Sequence, residues 1–159
     1  MTSLYFMPQV TFYLLPDEAS PTQICDGLSH AVAVLACQLT TERFRQNQTL
    51  FLLTQTQVQA EQLDEMLWQQ DPHSFVPHGL SEEATVTQAP VEIGTGMPKR
   101  SRQVLINLAD GIPAFAGRFA QIIDFVPADE IQKQQARERY KQYRALGFTL
   151  ETVPAPQLP

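Results

Sequence analysis

The sequence predicts an α/β fold in which helices cover both faces of a mostly parallel sheet. Short apolar segments typical of strands alternate along the chain with longer segments of helical periodicity. Apolar residues make up 43% of the chain, near the usual globular fraction of about 45–50%. The chain has 159 residues and contains neither an internal repeat nor a low-complexity linker, so we expect a single domain.

Residues 10–67 predict two strands and two helices. Residues 10–15 and 50–53 are short and apolar, as buried strands are. Between them, Asp26 is a candidate N-cap for a helix. That helix carries an apolar stripe formed by Leu28, Val32, Leu35 and Leu39. In the second helix, we expect Ala60, Leu63, Met66 and Leu67 to face the core. Its solvent face is expected to carry Gln59, Glu61, Gln62 and Glu65.

Further strands and one long helix are predicted in the rest of the chain. Residues 70–89 are expected to form a loop, because two prolines and a glycine interrupt them. The predicted strands span residues 91–93, 104–108 and 122–126, with a short helix between the last two around Ile112, Phe115 and Phe119. A helix over residues 129–146 ends before Gly147, and residues 148–153 add an edge strand.

These elements set the expected domain limits. Residues 1–9 form an N-terminal extension, residues 10–153 form the α/β domain, and residues 154–159 form a disordered tail. The net charge of −6 argues against general affinity for DNA. No apolar run reaches the roughly 18 residues of a membrane span, and the start lacks the features of a secretory signal. We expect a cytoplasmic protein without membrane contact, in which Cys25 and Cys37 are reduced and buried.

Motifs for catalysis are missing from the sequence. The first strand-to-helix turn, PDEASPTQICDG, lacks the glycines of a phosphate-binding loop. His73 and His78 have only Asp71 as a neighbouring metal ligand. We therefore expect no catalytic residue, no metal and no cofactor. A nucleotide- or metal-dependent hydrolase remains an alternative, which a polar cluster at the carboxyl ends of the strands would favour.

The last helix concentrates positive charge on one face. Five of the eleven Lys and Arg residues lie between positions 133 and 144. Four of them recur on one helix face, namely Lys133, Arg137, Lys141 and Arg144. Such a face can bind an acidic peptide or a phosphate backbone. It can equally be a solvated face that complements the helix dipole. Direct nucleic-acid binding by this helix with Lys99, Arg100 and Arg102 is a second alternative.

An apolar segment with the only tryptophan follows the second predicted helix. It contains Trp68, Phe75, Val76 and Pro77. Large apolar residues in a proline-bearing loop either fill the core or form an exposed anchor, and tryptophan is enriched at binding hot spots. The pattern alone leaves both interpretations open and slightly favours the core.

The motifs FYLL, ERFR, LDEMLW, SFVPH, PVEI, IIDFVP and KQQARERYKQYRALGF follow one another in this order. Together they resemble the chi subunit family of bacterial DNA polymerase III over residues 10–148. The resemblance implies a Rossmann-like, three-layer fold without a nucleotide site. It also implies a non-catalytic accessory subunit of the clamp-loader complex, located at the replisome, that does not bind DNA directly. Two protein partners are implied, the psi subunit and the acidic C-terminal tail of the single-stranded DNA-binding protein.

The resemblance also assigns residues to each partner. The tail would contact Val126, Lys133, Arg137, Tyr140 and Lys141, to which helical periodicity adds Arg144. We expect Arg137 to pair with the terminal carboxylate of the tail, because a planar guanidinium fits a carboxylate bidentately. The psi subunit would contact Trp68, Phe75, Val76 and Pro77. A helicase is a further candidate for this second surface.

Overall fold

The three-layer α/β architecture is confirmed by the structure, a computed structural model that describes residues 7–16, 23–25, 28–70 and 72–156, with only the backbone described at 23–25. The strands are β1 (Gln9–Leu14), β2 (Gln23–Cys25), β3 (Leu28–Ser29), β4 (Leu50–Thr54), β5 (His78–Leu80), β6 (Val91–Gly94), β7 (Val104–Leu108), β8 (Gln121–Val126) and β9 (Thr149–Pro154). The helices are α1 (His30–Arg45), α2 (Gln57–Trp68) and α3 (Glu130–Ala145).

Seven of these strands form one sheet in the order β5-β6-β4-β7-β8-β1-β9. Every neighbouring pair in it is parallel. The strands β2 and β3 form a separate antiparallel pair. The sheet therefore has β5 at one edge and β9 at the other, and the two halves of the sheet can present different surfaces.

Helices pack on both faces because successive strand residues point in opposite directions. In β4, Leu50 and Leu52 pack in the cluster formed with α1 and α2. Phe51 and Leu53 point to the other face and pack in the cluster that contains Tyr143 of α3. Helix α2 packs near β5, whereas α3 packs over β8 and β9.

Local hydrogen bonds explain where the first two helices begin. The Ser29 hydroxyl accepts from the amide of Val32 at 3.1 Å and caps α1; the predicted cap Asp26 lies outside the described residues. In α2, Thr56 and Gln59 form a capping box. The prediction that Gln59 faces solvent is therefore wrong, because its side chain turns back to the helix start and is buried.

Helix α3 matches the predicted span of residues 129–146 except that its first and last predicted residues are the caps. The Asp129 carboxylate accepts from the amide of Gln132 at 3.0 Å at its start. The chain leaves the helix at Gly147, whose φ of +88° is the left-handed conformation that glycine adopts freely. Because α3 connects the carboxyl end of β8 to the amino end of β9, it runs antiparallel to the strands.

The structure differs from the predicted elements at three other places. The predicted loop over residues 70–89 contains the edge strand β5. The predicted helix near Phe115 is only a 3₁₀ turn, Ala116–Arg118. Strand β9 includes Pro154, and the amide of Ala155 donates to the carbonyl of Leu14 at 2.9 Å, so the sheet holds the first residues of the expected tail.

Two further expectations concern the cysteines and membranes. Cys37 is a free, buried thiol, as expected, whereas the side chain of Cys25 lies outside the described part of the chain. None of the described helices is long and apolar enough to span a membrane.

Candidate protein-binding surfaces

A buried polar network fixes the position of α3 on the sheet. At its centre is Asp124 of β8, which is fully buried. The Nε of Arg139 donates to both oxygens of Asp124 at 3.2 and 3.1 Å, and the Arg139 Nη2 lies 3.0 Å from Oδ1. The Tyr143 hydroxyl donates at 2.9 Å, the Asn107 amide at 3.3 Å, and the backbone amide of Phe125 at 2.7 Å. Arg139 therefore lies inside the protein and not on the basic face of its helix.

The network holds α3 at several points. Arg139 also donates to the carbonyls of Asp110 at 3.1 Å and Phe125 at 3.2 Å, so one guanidinium links α3 to the ends of β7 and β8. Burial, reinforced by the charge of Asp124, raises the pKa of Tyr143 well above its usual value. Sequence reasoning missed this network. Its one visible signal is a charged residue, Asp124, inside an otherwise apolar strand.

A cleft of about 370 Å³ lies beside this network at the carboxyl ends of β7 and β8. Its polar lining includes Gln59, Asn107, Asp110 and Asp129. This is the polar cluster that would favour an enzyme, but both oxygens of Asp124 already accept hydrogen bonds within the protein. Among the described residues, no group of three or more His, Cys, Asp and Glu side chains is placed to hold a metal ion. Asp124 and Arg139, which also line the cleft, use their polar groups to hold α3 on the sheet.

The outward side of α3 carries the predicted cations. We call Lys133, Arg137, Lys141 and Arg144 the basic flank. Lys133 and Lys141 lie 3.6 and 3.8 Å from the exposed carboxylates of Glu130 and Glu138. In the described part of the chain, no carboxylate lies within 4.0 Å of the guanidinium of Arg137 or Arg144. The Arg137 Nη1 donates to Gln134 at 3.3 Å, which leaves most of its donors directed at solvent.

Apolar side chains lie next to the basic flank. Val126 at the end of β8 and Tyr140 of α3 are both partly buried and pack against the same core cluster. The ring of Tyr140 lies 5.5 Å from the ring of Phe12, measured between centroids. On α3, Tyr140 thus lies in the same turn of the helix as Arg137 and Lys141, and its partly buried ring packs on the core.

The second surface lies at the β5 edge. We call Trp68, Phe75 and Pro77 the aromatic edge. Trp68 is 58% exposed and Phe75 is 43% exposed, and their ring centroids are 5.4 Å apart. Pro77 is also exposed, whereas Val76 is fully buried in the cluster beneath α1 and α2. The assignment of Val76 to a partner contact is therefore wrong, because its side chain points to the core.

His78 supports the aromatic edge from below. Its buried ring lies 5.2 Å from Trp68 and 6.3 Å from Phe75. Nδ1 lies 2.7 Å from the Val76 carbonyl, and Nε2 lies 3.2 Å from both the carbonyl and the carboxylate of Asp64. Burial raises the pKa of Asp64 even though the nearby His78 acts to lower it. Contacts on both nitrogens fix the ring on which the two exposed aromatic side chains rest.

The proposed nucleic-acid cluster is not formed as expected. Lys99 and Arg100 are exposed, but Arg102 is buried and its Nη2 lies 3.1 Å from the buried carboxylate of Glu92. The same Nη2 donates to the carbonyl of Val86 at 3.0 Å. The prediction that Arg102 joins a surface cluster is therefore wrong, since its charge is used to hold the 81–102 segment in place.

Together, the fold and these surfaces define a three-layer α/β protein with two exposed patches in opposite halves of one parallel sheet. The family model described as DNA polymerase III chi subunit, HolC, matches residues 7–151, and the chain belongs to this family.

Curated relatives agree with this assignment and confirm the resemblance found in the sequence. The chain is 43% identical over 144 residues to the DNA polymerase III subunit chi of Haemophilus influenzae, covering 89% of this chain and 93% of the relative. It is 42% identical over 149 residues to the subunit chi of Escherichia coli, covering 92% and 98%. To that of Pseudomonas aeruginosa it is 31% identical over 153 residues, covering 96% and 100%.

Proposed function

We propose that this replication protein is a non-catalytic accessory subunit that joins two partners in the cytoplasm, at the replisome. Its basic flank would bind the acidic C-terminal tail of the single-stranded DNA-binding protein, and its aromatic edge would bind the psi subunit. The observation that carries the proposal is the presence of two exposed patches of different chemistry on opposite halves of the sheet.

The basic flank suits a peptide that ends in a carboxylate. Arg137 has no carboxylate partner among the described residues, so a planar guanidinium is available for bidentate pairing. Val126 and Tyr140 offer apolar surface for the last side chains of the tail. Lys141 and both carboxylate partners are exposed, and Lys133 is partly buried; pairs with exposed members are worth only about 0–1 kcal/mol. Exchanging their partners for aspartates of the tail therefore costs little.

The aromatic edge suits a protein partner that contributes apolar side chains. Trp68 and Phe75 pack against each other and against His78 in tilted and edge-on arrangements, so their positions are fixed before binding. A fixed side chain loses less conformational freedom on binding than a mobile one. Trp68 is therefore expected to be a hot spot for the psi subunit. A helicase that binds the same surface would compete with psi.

Bridging follows from the separation of the two surfaces. Each contact can be weak, because many tails on coated single-stranded DNA raise the effective concentration of the second partner. Polymerase subunits held through psi would thus stay near the coated strand. DNA contact by this chain is not required, which suits its net charge of −6.

Fluorescence anisotropy tests the tail site. A labelled acidic peptide with the terminal residues of the single-stranded DNA-binding protein is titrated with wild type, Arg137→Ala and the control Arg118→Ala, an exposed arginine outside the basic flank. We expect binding that weakens with salt, and a loss of about 2 kcal/mol for Arg137→Ala, as for a truncated charge pair. The control should bind as wild type does. Absence of binding by folded wild type at low salt would refute the tail site.

A further inference from the structure

The segment of the chain around the aromatic edge contains acidic residues but no Lys or Arg. Residues 46–98 contain no Lys or Arg. They contain seven acidic residues, Glu61, Asp64, Glu65, Asp71, Glu82, Glu83 and Glu92. This segment, which carries the aromatic edge, is therefore acidic, whereas the opposite half of the sheet carries the basic flank.

Several of these carboxylates form one strip with the aromatic edge. Glu61, Glu65 and Trp68 recur at i, i+4 and i+7 on the exposed side of α2. The carboxylate of Glu82 lies beyond the start of the same helix and accepts from the Gln57 amide at 2.8 Å. At a rise of about 1.5 Å per residue, the strip extends from Trp68 along α2 for roughly 16 Å.

Neighbouring cations do not compensate this charge. The nearby guanidinium groups of Arg45 and Arg100 donate to the carbonyls of His73 at 3.0 Å and Thr87 at 2.7 Å, and neither forms an ion pair with a described carboxylate. His78 lies against Asp64, and Arg102 lies against Glu92. Among the described residues, the carboxylates of Glu61, Glu65, Glu82 and Glu83 make no ion pair within 4.0 Å.

The stability of the helix does not account for the strip. Glu82 lies near the amino end of α2, where the helix dipole favours negative charge. Glu65 lies in the last turn, where the dipole disfavours a carboxylate, and this turn contains no basic residue. The carboxylate of Asp64, beside Glu65 in the chain, is also close enough to Glu65, Glu82 and Glu83 for their charges to raise its pKa. A charge that costs the free protein stability is explained if a partner neutralises it.

We propose that the segment that docks on the aromatic edge is basic, with an apolar anchor for Trp68 and Phe75 followed by Lys or Arg residues that reach Glu65, Glu61 and Glu82. This inference rests on the proposed use of the aromatic edge as a docking surface and adds the chemistry of the partner. The opposite charges of the two surfaces would also direct each partner to its own surface. The acidic strip repels an acidic tail, whereas the basic flank attracts it.

The test measures how fast the psi subunit associates with three forms of the whole chain. The first is wild type, the second carries Glu61→Lys, Glu65→Lys and Glu82→Lys, and the third is a matched control. The control carries Glu42→Lys, Glu130→Lys and Glu138→Lys, which change the net charge equally but lie outside the strip. Circular dichroism verifies that each variant folds, and each rate is measured at low and at high salt.

We expect salt to slow association of the wild type and the control. Reversing the strip should slow association at low salt by about tenfold or more and remove most of the salt dependence. If the reversed strip associates at an unchanged or faster rate while Trp68→Ala abolishes binding, the inference that the partner segment is basic is refuted. The proposed docking of psi on the aromatic edge would still stand. If folded wild type does not bind psi, the proposed docking function fails and the inference fails with it.

Discussion

Replacing Arg139 by methionine tests the buried network that positions α3. The substitution keeps an apolar chain of similar length but removes every donor of the guanidinium. Among the described residues, Asp124 then loses its one cationic partner and keeps the donors from Tyr143, Asn107 and the Phe125 amide. The carbonyl of Asp110 also loses the hydrogen bond that Arg139 gives it.

The size of the effect follows from this burial. Asp124 is fully buried and the Arg139 side chain is 9% exposed, so solvent screens the pair very little. Breaking a buried pair by removing one partner costs about 3–5 kcal/mol, because it leaves an uncompensated charge. That is a large part of the roughly 5–15 kcal/mol that stabilises a typical domain. For a chain of this size it corresponds to a fall of roughly 10 °C in Tm.

Urea denaturation of wild type and variant measures the change in the free energy of unfolding. The matched control is Arg137→Met, because Arg137 lies on the same helix but is exposed; it should change stability by about 0.5 kcal/mol or less. Adding Asp124→Asn to Arg139→Met removes the buried charge and should recover part of the loss, with a coupling of about 0.5–3 kcal/mol. An Arg139→Met variant within about 1 kcal/mol of wild type would refute the anchoring role.

Two further predictions concern Val76 and Cys37, which lie in the same core cluster beneath α1 and α2. Val76→Ala should lower the unfolding free energy by about 2 kcal/mol with little effect on psi binding, because Val76 is fully buried. Phe75→Ala should weaken psi binding with little effect on stability, because Phe75 is 43% exposed. Thermal unfolding measures the first effect, and a psi pull-down measures the second. Burial raises the pKa of the Cys37 thiol from 9.0 to about 12. Between these values the unfolded chain releases a proton that the folded protein keeps, so stability falls as pH rises. Urea curves at pH 8 and at about pH 9.5 should differ by about 1 kcal/mol, and Cys37→Ala should remove this difference.

Local pattern predicts the elements whose signal lies within one segment. Strand Val104–Leu108 has the predicted limits, and the long helix differs from its predicted limits only by its two cap residues. Strand β5 was missed because its three residues follow a proline and depend on pairing with β6. Gln59 was placed on the wrong face, because a capping box outweighs the helical period at the first turn.

The site was predictable only where one element carries it. The basic flank follows from the spacing of cations along a single helix, and three of its four members are exposed while Lys133 is partly buried. The pairing of Arg139 with Asp124 depends on how α3 lies over β8, which no local pattern specifies. The support of Trp68 by His78 likewise depends on the packing of α2 beside β5.

The most direct test of the bridging proposal asks whether both partners bind one molecule of this protein at once. The labelled tail peptide is titrated with the free chain and with the chain saturated by the psi subunit, and anisotropy reports the affinity for the peptide. Because the surfaces lie on opposite halves of the sheet, we predict the same affinity in both titrations and a larger, ternary complex in the second. Arg137→Ala should lose only the peptide, and Trp68→Ala only psi. Displacement of the peptide by psi would contradict the bridging role.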